Sequence, residues 1–269
     1  MPDSGQRVSL RVMEADVDVG LLRTLGVATI GTLRDVGAVA VVLGRTLHRL
    51  MTTPLEWREA LRALARYGPE SMVVVMGAAC FAGAIMVLQG AVYVERYGAQ
   101  SLVGWYTGFV TLREVGPLLM GLMFSGRVGA SHTAELAAMR VREQLDGLEI
   151  VGLDPFAILI VPRTLAMVVG LGMLAILGDV AALVSGATTA RVLLGIDAQT
   201  FLRSMTSRLG SGDLFLGLEK ALAFGLVIAV VSTHVGLSAK PTSQGVGRAV
   251  NRQVVLSALG MFAVDAALT

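Results

Sequence analysis

The chain has 269 residues, of which 54% are hydrophobic and 16% charged, and its formal net charge at pH 7 is +2. Soluble domains usually carry about 25% charged residues, so this chain has too few polar side chains to coat a water-soluble globule. Its 32 glycines fit the same interpretation, because glycine is more frequent in membrane helices than in soluble ones. The composition argues against a soluble enzyme and predicts an all-α, polytopic membrane protein.

The arginines are scattered between apolar stretches and form no basic block, which argues against a nucleic-acid partner. The single cysteine, Cys80, lies in an apolar stretch, so we expect neither a disulfide framework nor a cysteine metal site. The three histidines are far apart in sequence and have no metal-ligand spacing, and no metal is expected. No P-loop is present, because Lys220 follows Glu219 and Lys240 follows Ala239. We therefore expect this chain to hold no cofactor and to have no ATPase site of its own.

The N-terminal part differs from the rest of the chain. Residues 1–18 are a polar tail in which we find no signal peptide. Residues 19–66 are predicted to form an interfacial or cytoplasmic amphipathic region, with Arg23, Arg34 and Arg45 at intervals of eleven residues. Eleven residues are about three helical turns, so these arginines would share one stripe, as on a helix lying in the membrane interface. A sixth span over residues 19–50 is the alternative.

Residues 67–269 are predicted to form the transmembrane domain. A spanning helix needs about 20 mostly apolar residues, and we expect about five spans, at residues 71–94, 102–124, 156–186, 214–237 and the shorter 254–268. With the N-terminus inside, ten basic residues of the connections lie on the cytoplasmic side and four on the outer side. This bias predicts a cytoplasmic N-terminus and a C-terminus on the outer side.

Ionisable residues inside spans are functional candidates. Arg113 and Glu114 lie midway along the second predicted span, and adjacent residues on a helix point about 100° apart, so each should need its own partner, cavity or bound headgroup. Pro117 favours a kink beside them. A structural polar network between helices is the alternative. Four further intramembrane candidates are more typical of structural roles: Glu219–Lys220, Asp179, Arg163 and Asp265.

The loop between the second and third spans is the most patterned part of the chain. Residues 134–147 (AELAAMRVREQLDG) predict a polar helix, and a coupling helix over about residues 131–150 would touch a partner in the cytoplasm. Arg142 and Asp146 are spaced i,i+4 on it. A helix that is simply solvated is the alternative.

Residues 112–166 closely resemble the MlaE (YrbE) family, the membrane permeases of Mce-associated lipid ABC transporters. The matching pieces are LREVGP at 112–117, GRVGA at 126–130, AEL at 134–136, EQLDGLE at 143–149 and VPR at 161–163. Further matches are LQG at 88–90 and the stretch from 241 to 265, and the resemblance covers roughly residue 70 to the end.

The resemblance implies a phospholipid permease in the bacterial inner membrane that pairs with a second copy as a homodimer. A cytoplasmic ABC ATPase would bind ATP and Mg²⁺ and hydrolyse the ATP. A periplasmic MCE-domain protein would exchange lipid with the permease. It assigns lipid binding to Met86, Tyr93, Tyr97, Arg113, Glu114 and Val115. It assigns ATPase coupling to Glu135, Arg140, Arg142, Glu143, Gln144, Asp146 and Glu149. For Tyr93 and Tyr97, an ordinary aromatic belt is the alternative.

Two other function classes remain at this point. An ion-coupled secondary transporter would use intramembrane acids such as Glu114, Asp179 or Glu219 and often contains an internal repeat, which we do not find. A non-transporting membrane scaffold for a complex on the outer face is the other.

Overall fold

The computed structural model describes residues 31, 33–98 and 102–269, without the side chains of residues 94, 95 and 97. The chain divides into two compact units, Met1–Gly44 and Arg45–Thr269, and the functional residues described below belong to the second. The regular structure of the described residues is helical. The helices are α1 (33–52), α2 (Trp57–Tyr97), α3 (Val103–Val110), α4 (Gly116–Phe124), α5 (Ala130–Val141), α6 (Gln144–Ile150), α7 (Val161–Leu194), α8 (Ala198–Thr206), α9 (Ser211–Leu237) and α10 (Ser243–Leu268).

The all-α membrane architecture predicted from composition is confirmed. Among the described residues, three stretches of helix are long and apolar enough to cross a membrane, namely Trp57–Tyr93, Phe156–Leu194 and Ser211–Leu237. The predicted span at residues 102–124 lies on α3, the π-helical turn that follows it and α4, and the span at residues 254–268 lies on α10. The boundary predicted between residues 66 and 67 falls inside α2. Of the three arginines predicted to share a stripe, Arg23 lies outside the described residues.

Three π-helical turns lie in the helical stretches of the second unit: Thr111–Val115, Ser125–Gly129 and Phe156–Ile160. In the first, the Gly116 N–H donates to the Thr111 carbonyl five residues earlier. The first and third turns each end one residue before an X-Pro pair, Gly116–Pro117 and Val161–Pro162. Proline has no N–H and crowds the carbonyl four residues before it, so the wider turn accommodates it within a continuing helix. The kink predicted at Pro117 therefore takes the form of a π-turn.

Helices α2 and α7 approach each other closely through small residues. A Cβ added to Gly83 would overlap the Ala182 carbonyl oxygen, and the Ser185 hydroxyl donates to the Cys80 carbonyl at 2.8 Å. Association of helices in a membrane depends on such close backbone approach and on hydrogen bonds between helices. This contact fixes the position of α2 against α7 and closes one side of the bundle.

We expect Gly83→Ala to destabilise the protein by about 1–3 kcal/mol, because the added methyl group meets backbone that cannot move aside as a side chain could. The measurement is the thermal unfolding midpoint of the purified protein in detergent. Gly77→Ala is the matched control, since it lies on the same helix and its added Cβ meets no atom within 4 Å. Equal midpoints for the two variants would contradict the assigned α2–α7 contact.

Buried polar side chains join α10 to the helical stretch that contains α4 and α5. The Gln253 amide nitrogen donates to the Ser125 hydroxyl at 3.1 Å and to the Ser257 hydroxyl at 3.0 Å, and all three residues are buried. Ser125 begins the second π-turn. This contact holds α10 beside that turn.

Candidate functional site

Lys220 is the centre of an ion network among apolar helices. Its side chain is fully buried, and its ammonium nitrogen lies 2.7 Å from Glu114 Oε2 and 2.9 Å from Asp265 Oδ1. It also donates to the Thr269 hydroxyl at 2.8 Å. A buried ammonium is costly unless it is paired and hydrogen-bonded, and here three oxygens from two elements surround it. The network joins the first π-turn to α9 and to the end of α10.

Arg113 extends this network toward the surface. Its Nε lies 3.5 Å from Glu114 Oε1 and its Nη1 lies 3.5 Å from Asp213 Oδ1. The guanidinium carbon is 5.3 Å from the centroid of the Phe109 ring, within reach of a cation–π interaction. The side chains of Arg113 and Glu114 are 30% and 32% exposed, so a ligand can reach both.

Arg113 and Glu114 each have a further partner, Asp213 and Lys220. They also lie within ion-pair distance of each other, which corrects the expectation that adjacent residues on a helix would point too far apart to pair. Both lie on the first π-turn, where the wider helix reduces the angle between successive side chains below its usual value. Structural roles were predicted for Lys220 and Asp265, but both belong to the same cluster as Glu114. The usable signal was that three ionisable residues lie on separate apolar helices, where each needs a partner.

Of the other predicted lipid-binding residues, Val115 lies on the same π-turn as Arg113 and Glu114, whereas Met86 and Tyr93 lie on α2. Met86 and Val115 are half-buried, and Tyr93 is 59% exposed. In the described residues, no hydrogen bond or ion pair joins Tyr93 to the network. The Tyr97 side chain lies outside the described part. The structure therefore brings Arg113 and Glu114 together with Lys220, Asp213 and Asp265. The assignment of lipid binding to all six predicted residues stays a prediction.

A second charged cluster lies where α2 and α7 begin. Glu135 on α5 accepts a hydrogen bond from Arg163 Nη2 at 3.0 Å, and its other oxygen lies 3.5 Å from Arg66 Nη1. Arg163 has a side chain only 10% exposed and also lies 3.8 Å from Glu59. Glu135, predicted to contact an ATPase, therefore uses its carboxylate to connect α5 with α2 and α7.

We expect Glu135→Gln to lower stability by about 1.5–3 kcal/mol, the range for hydrogen bonds to charged groups, because the nearly buried Arg163 loses its closest carboxylate. Glu149→Gln is the control, since Glu149 is exposed in the same loop region and should melt like the wild type. Thermal unfolding of both variants in detergent is the measurement. A Glu135→Gln variant as stable as Glu149→Gln would show that these ion pairs do not hold α5 in place.

Helix α5 is fixed to α9 by buried polar contacts as well. His132 Nε2 lies 3.3 Å from the Thr233 hydroxyl, and the Thr133 hydroxyl donates to the Ser232 carbonyl at 3.1 Å. Burial, helped by the nearby Arg163 guanidinium, lowers the pKa of His132 to about 3. The imidazole is therefore neutral at pH 7 and acts as a hydrogen-bonding group.

The predicted coupling helix is two helices, which corrects the expectation of one continuous helix over residues 131–150. Helix α5 ends at Val141, Glu143 has a φ of 55°, and α6 begins at Gln144. A left-handed backbone at a non-glycine residue stops the hydrogen-bond pattern of a helix, and no local sequence signal such as Gly or Pro marks it. The i,i+4 relation predicted between Arg142 and Asp146 is interrupted there.

Residues 140–151 around this break expose both charged and apolar side chains, and we call them the α5–α6 surface. The apolar side chains of Ile150 and Val151 on it are 85% and 69% exposed. The predicted coupling residues that are exposed on it are Arg140, Arg142, Glu143, Gln144, Asp146 and Glu149. Exposed apolar groups ringed by charges are typical of protein–protein contact surfaces.

These features define a class: a polytopic helical membrane protein with an ion network among its spans and an exposed helical surface in the loop between two of them. The family model described as "Permease MlaE" matches residues 60–269. The chain belongs to the MlaE permease family, and the resemblance found in its motifs is confirmed.

Relatives in several lineages agree with this assignment. A probable ABC transporter permease protein of Rickettsia felis is 32% identical over 241 residues, which cover 90% of this chain and 93% of the relative. The intermembrane phospholipid transport system permease protein MlaE of Haemophilus influenzae is 28% identical over 252 residues, 93% of this chain and 97% of that protein. The chloroplastic protein TRIGALACTOSYLDIACYLGLYCEROL 1 of Arabidopsis thaliana is 29% identical over 232 residues, 86% of this chain and 66% of that protein.

Proposed function

We propose that this chain is the permease subunit of an ABC-type phospholipid transporter in a bacterial inner membrane. It would move lipid between that membrane and a periplasmic MCE-domain protein, paired with a second permease copy. ATP and Mg²⁺ would act on a cytoplasmic ABC ATPase, and this chain would carry no catalytic residue. Support comes from the family and from the name of the Haemophilus influenzae relative, a permease of an intermembrane phospholipid transport system.

One observation carries this proposal: both candidate surfaces lie on the same helical stretch. The stretch from Val103 to Val141 contains the first π-turn with Arg113 and Glu114, and ends at the α5–α6 surface. From residue 114 to residue 141 the helix advances about 40 Å, at 1.5 Å per residue. A movement imposed on the α5–α6 surface therefore reaches the ion network through a single element that has two π-turns where it can bend.

The ion network would act on the lipid headgroup. Arg113 is accessible and can pair with a phosphate, for which guanidinium geometry is suited. The phosphate would compete with Glu114 and Asp213 for Arg113. Lys220 keeps Glu114 in place because it is fully buried and paired with it at 2.7 Å. Headgroup binding would in this way be coupled to the packing of the first π-turn, α9 and α10.

The topology of the chain in the membrane places the two candidate surfaces on opposite sides. The arginine distribution in the loops favours a cytoplasmic N-terminus and an outer C-terminus. With five crossings, the α5–α6 surface would face the cytoplasm and Asp213, at the start of α9, would lie toward the outer side. The ATPase would then dock where the exposed charges lie, and the headgroup would approach the network from the half of the membrane nearer the MCE protein.

An ion-coupled transporter is the second candidate, and one observation favours it. Asp179 lies on α7 beside an apolar cavity of about 280 Å³, and its Oδ1 is buried with no hydrogen-bond partner among the described residues. An intramembrane carboxylate without a partner is a candidate ion or proton site.

Purification from the native membrane distinguishes these functions. The full chain is isolated with mild detergent, and the co-eluting proteins and bound lipids are identified by mass spectrometry. The proposal expects an ABC ATPase in stoichiometric amount, an MCE-domain protein and bound phospholipid. A chain that elutes without an ATPase while catalysing proton-driven transport after reconstitution would support the second candidate and overturn the first.

A further inference from the structure

The loop between α9 and α10 encloses a basic cavity that the proposed transport path does not use. The cavity has a volume of about 330 Å³, at the small end of the range for small-molecule sites. Three of its ten lining residues are cationic, namely Lys240, Arg248 and Arg252, and none of the ten is acidic. It lies at the far end of α9 from Lys220, about 22 Å along the helix between residues 220 and 235.

The cavity is held in shape by the local backbone. The Thr242 N–H donates to the Lys240 carbonyl at 2.7 Å, and the Thr242 hydroxyl accepts from the Gly245 N–H at 3.0 Å. A Cβ on Gly245 would overlap the Lys240 carbonyl oxygen, so only glycine lets the loop fold this closely over the first turn of α10. This fold brings Lys240 to the same cavity as Arg248.

Among the described residues, no acidic side chain pairs with Lys240 or Arg248. Both side chains are exposed, and neither makes a hydrogen bond or ion pair with the described residues. Arg140, which is also exposed, donates to the Leu237 carbonyl at the end of α9, and this adds another cation next to the loop. The two charged clusters of the candidate functional site pair cations with carboxylates, whereas no acidic residue lines this cavity.

The expected position of the cavity relative to the membrane indicates which ligand it binds. Helix α9 is long and apolar enough to cross a membrane, and α10 contains the fifth span predicted from the sequence. We therefore expect the loop between them at the level of the headgroups, where arginines one or two turns into α10 can extend their side chains back to that level. Basic pockets between membrane helices bind the headgroups of anionic lipids. We propose that this cavity binds the phosphate-bearing headgroup of an anionic membrane phospholipid as a fixed lipid, separate from the transported one.

The test uses the delipidated full-length chain in detergent, with bound lipid counted by native mass spectrometry. Dioleoylphosphatidylglycerol and dioleoylphosphatidylcholine are titrated separately, and inorganic phosphate is added as a competitor. We expect one phosphatidylglycerol to bind at least tenfold more tightly than phosphatidylcholine. The double variant Lys240→Gln/Arg248→Gln should weaken that binding about thirtyfold, as expected for the loss of two cations at a membrane surface.

Arg191→Gln/Arg203→Gln is the matched control, since both arginines are exposed in or near other loops, and it should bind phosphatidylglycerol like the wild type. A wild-type chain that does not distinguish the two lipids overturns the proposal, and this result does not depend on any variant folding. Displacement of the lipid by millimolar phosphate would make the cavity a site for free anions. Unchanged lipid binding in a double variant that loses a co-purifying protein would make it a protein contact instead.

Discussion

Replacing Lys220 by methionine is expected to destabilise the protein by about 3 kcal/mol, the lower end of the cost of breaking a buried ion pair. Lys220 is fully buried and within 2.9 Å of both Glu114 and Asp265, whose side chains are 32% and 21% exposed. Their partial exposure moderates the penalty, and so does Arg113, which stays 3.5 Å from Glu114; only Asp265 loses its sole ion-pair partner among the described residues. The measurement is thermal unfolding in detergent, together with the yield of membrane-inserted protein.

Glu219→Gln is the matched control for this variant. Glu219 is the neighbouring residue on α9, is exposed, and makes no ion pair with the described residues, so the substitution should leave the unfolding midpoint unchanged. If Lys220→Met and Glu219→Gln melt at the same temperature, the network does not contribute to stability.

A neutral triple variant separates the stability of this network from its function. In Lys220→Met/Glu114→Gln/Asp265→Asn no charge is left without its partner, so most of the lost stability should return. Phospholipid transfer should remain reduced at least tenfold, because Arg113 would no longer be positioned by Glu114. Normal transfer by the triple variant, or by Glu114→Gln and Glu114→Ala alone, would contradict a role of Glu114 in lipid handling and leave it a structural residue.

Charge reversal on the α5–α6 surface should abolish co-purification of the ATPase. Glu143→Arg/Asp146→Arg changes the charge of this exposed surface by four units, and like charges across an interface cost several kcal/mol. The variant should still insert and unfold at the wild-type temperature, because both side chains are exposed and neither is in an ion pair with the described residues. The measurement is the amount of ATPase retained per permease after affinity purification.

Glu56→Arg provides the control for this experiment, since Glu56 is exposed just before α2 and lies outside the α5–α6 surface. It should retain the ATPase in full. Stoichiometric ATPase on the double variant would contradict the assignment of this surface to coupling, whatever the transport activity of the variant.

The class of the molecule could be predicted from composition alone, because the ratio of apolar to charged residues follows directly from the solvent that surrounds a protein. Arg113 and Glu114 could also be singled out, since charges in an apolar run are conspicuous without any tertiary information. The prolines at 117 and 162 carried a further local signal, and both follow a π-turn.

The partners of these residues could not be predicted in the same way. Glu114 and Lys220 are 106 residues apart, and only the packing of α9 against the first π-turn brings them together. The inward role of Glu135 depends on Arg163 and Arg66, which reach it from two other helices. The break at Glu143 is set by the path of the loop, since the residue itself has no preference for a positive φ.

The most direct test of the account is ATP-driven lipid movement by the reconstituted complex. The full chain is co-expressed with the proposed ABC ATPase, incorporated into proteoliposomes with a fluorescent phospholipid, and given the proposed MCE-domain partner as donor or acceptor. We predict transfer that requires ATP hydrolysis, is unaffected by collapse of the proton gradient, and falls at least tenfold in Glu114→Gln. Transfer that continues without ATP and stops when the proton gradient is collapsed would contradict it.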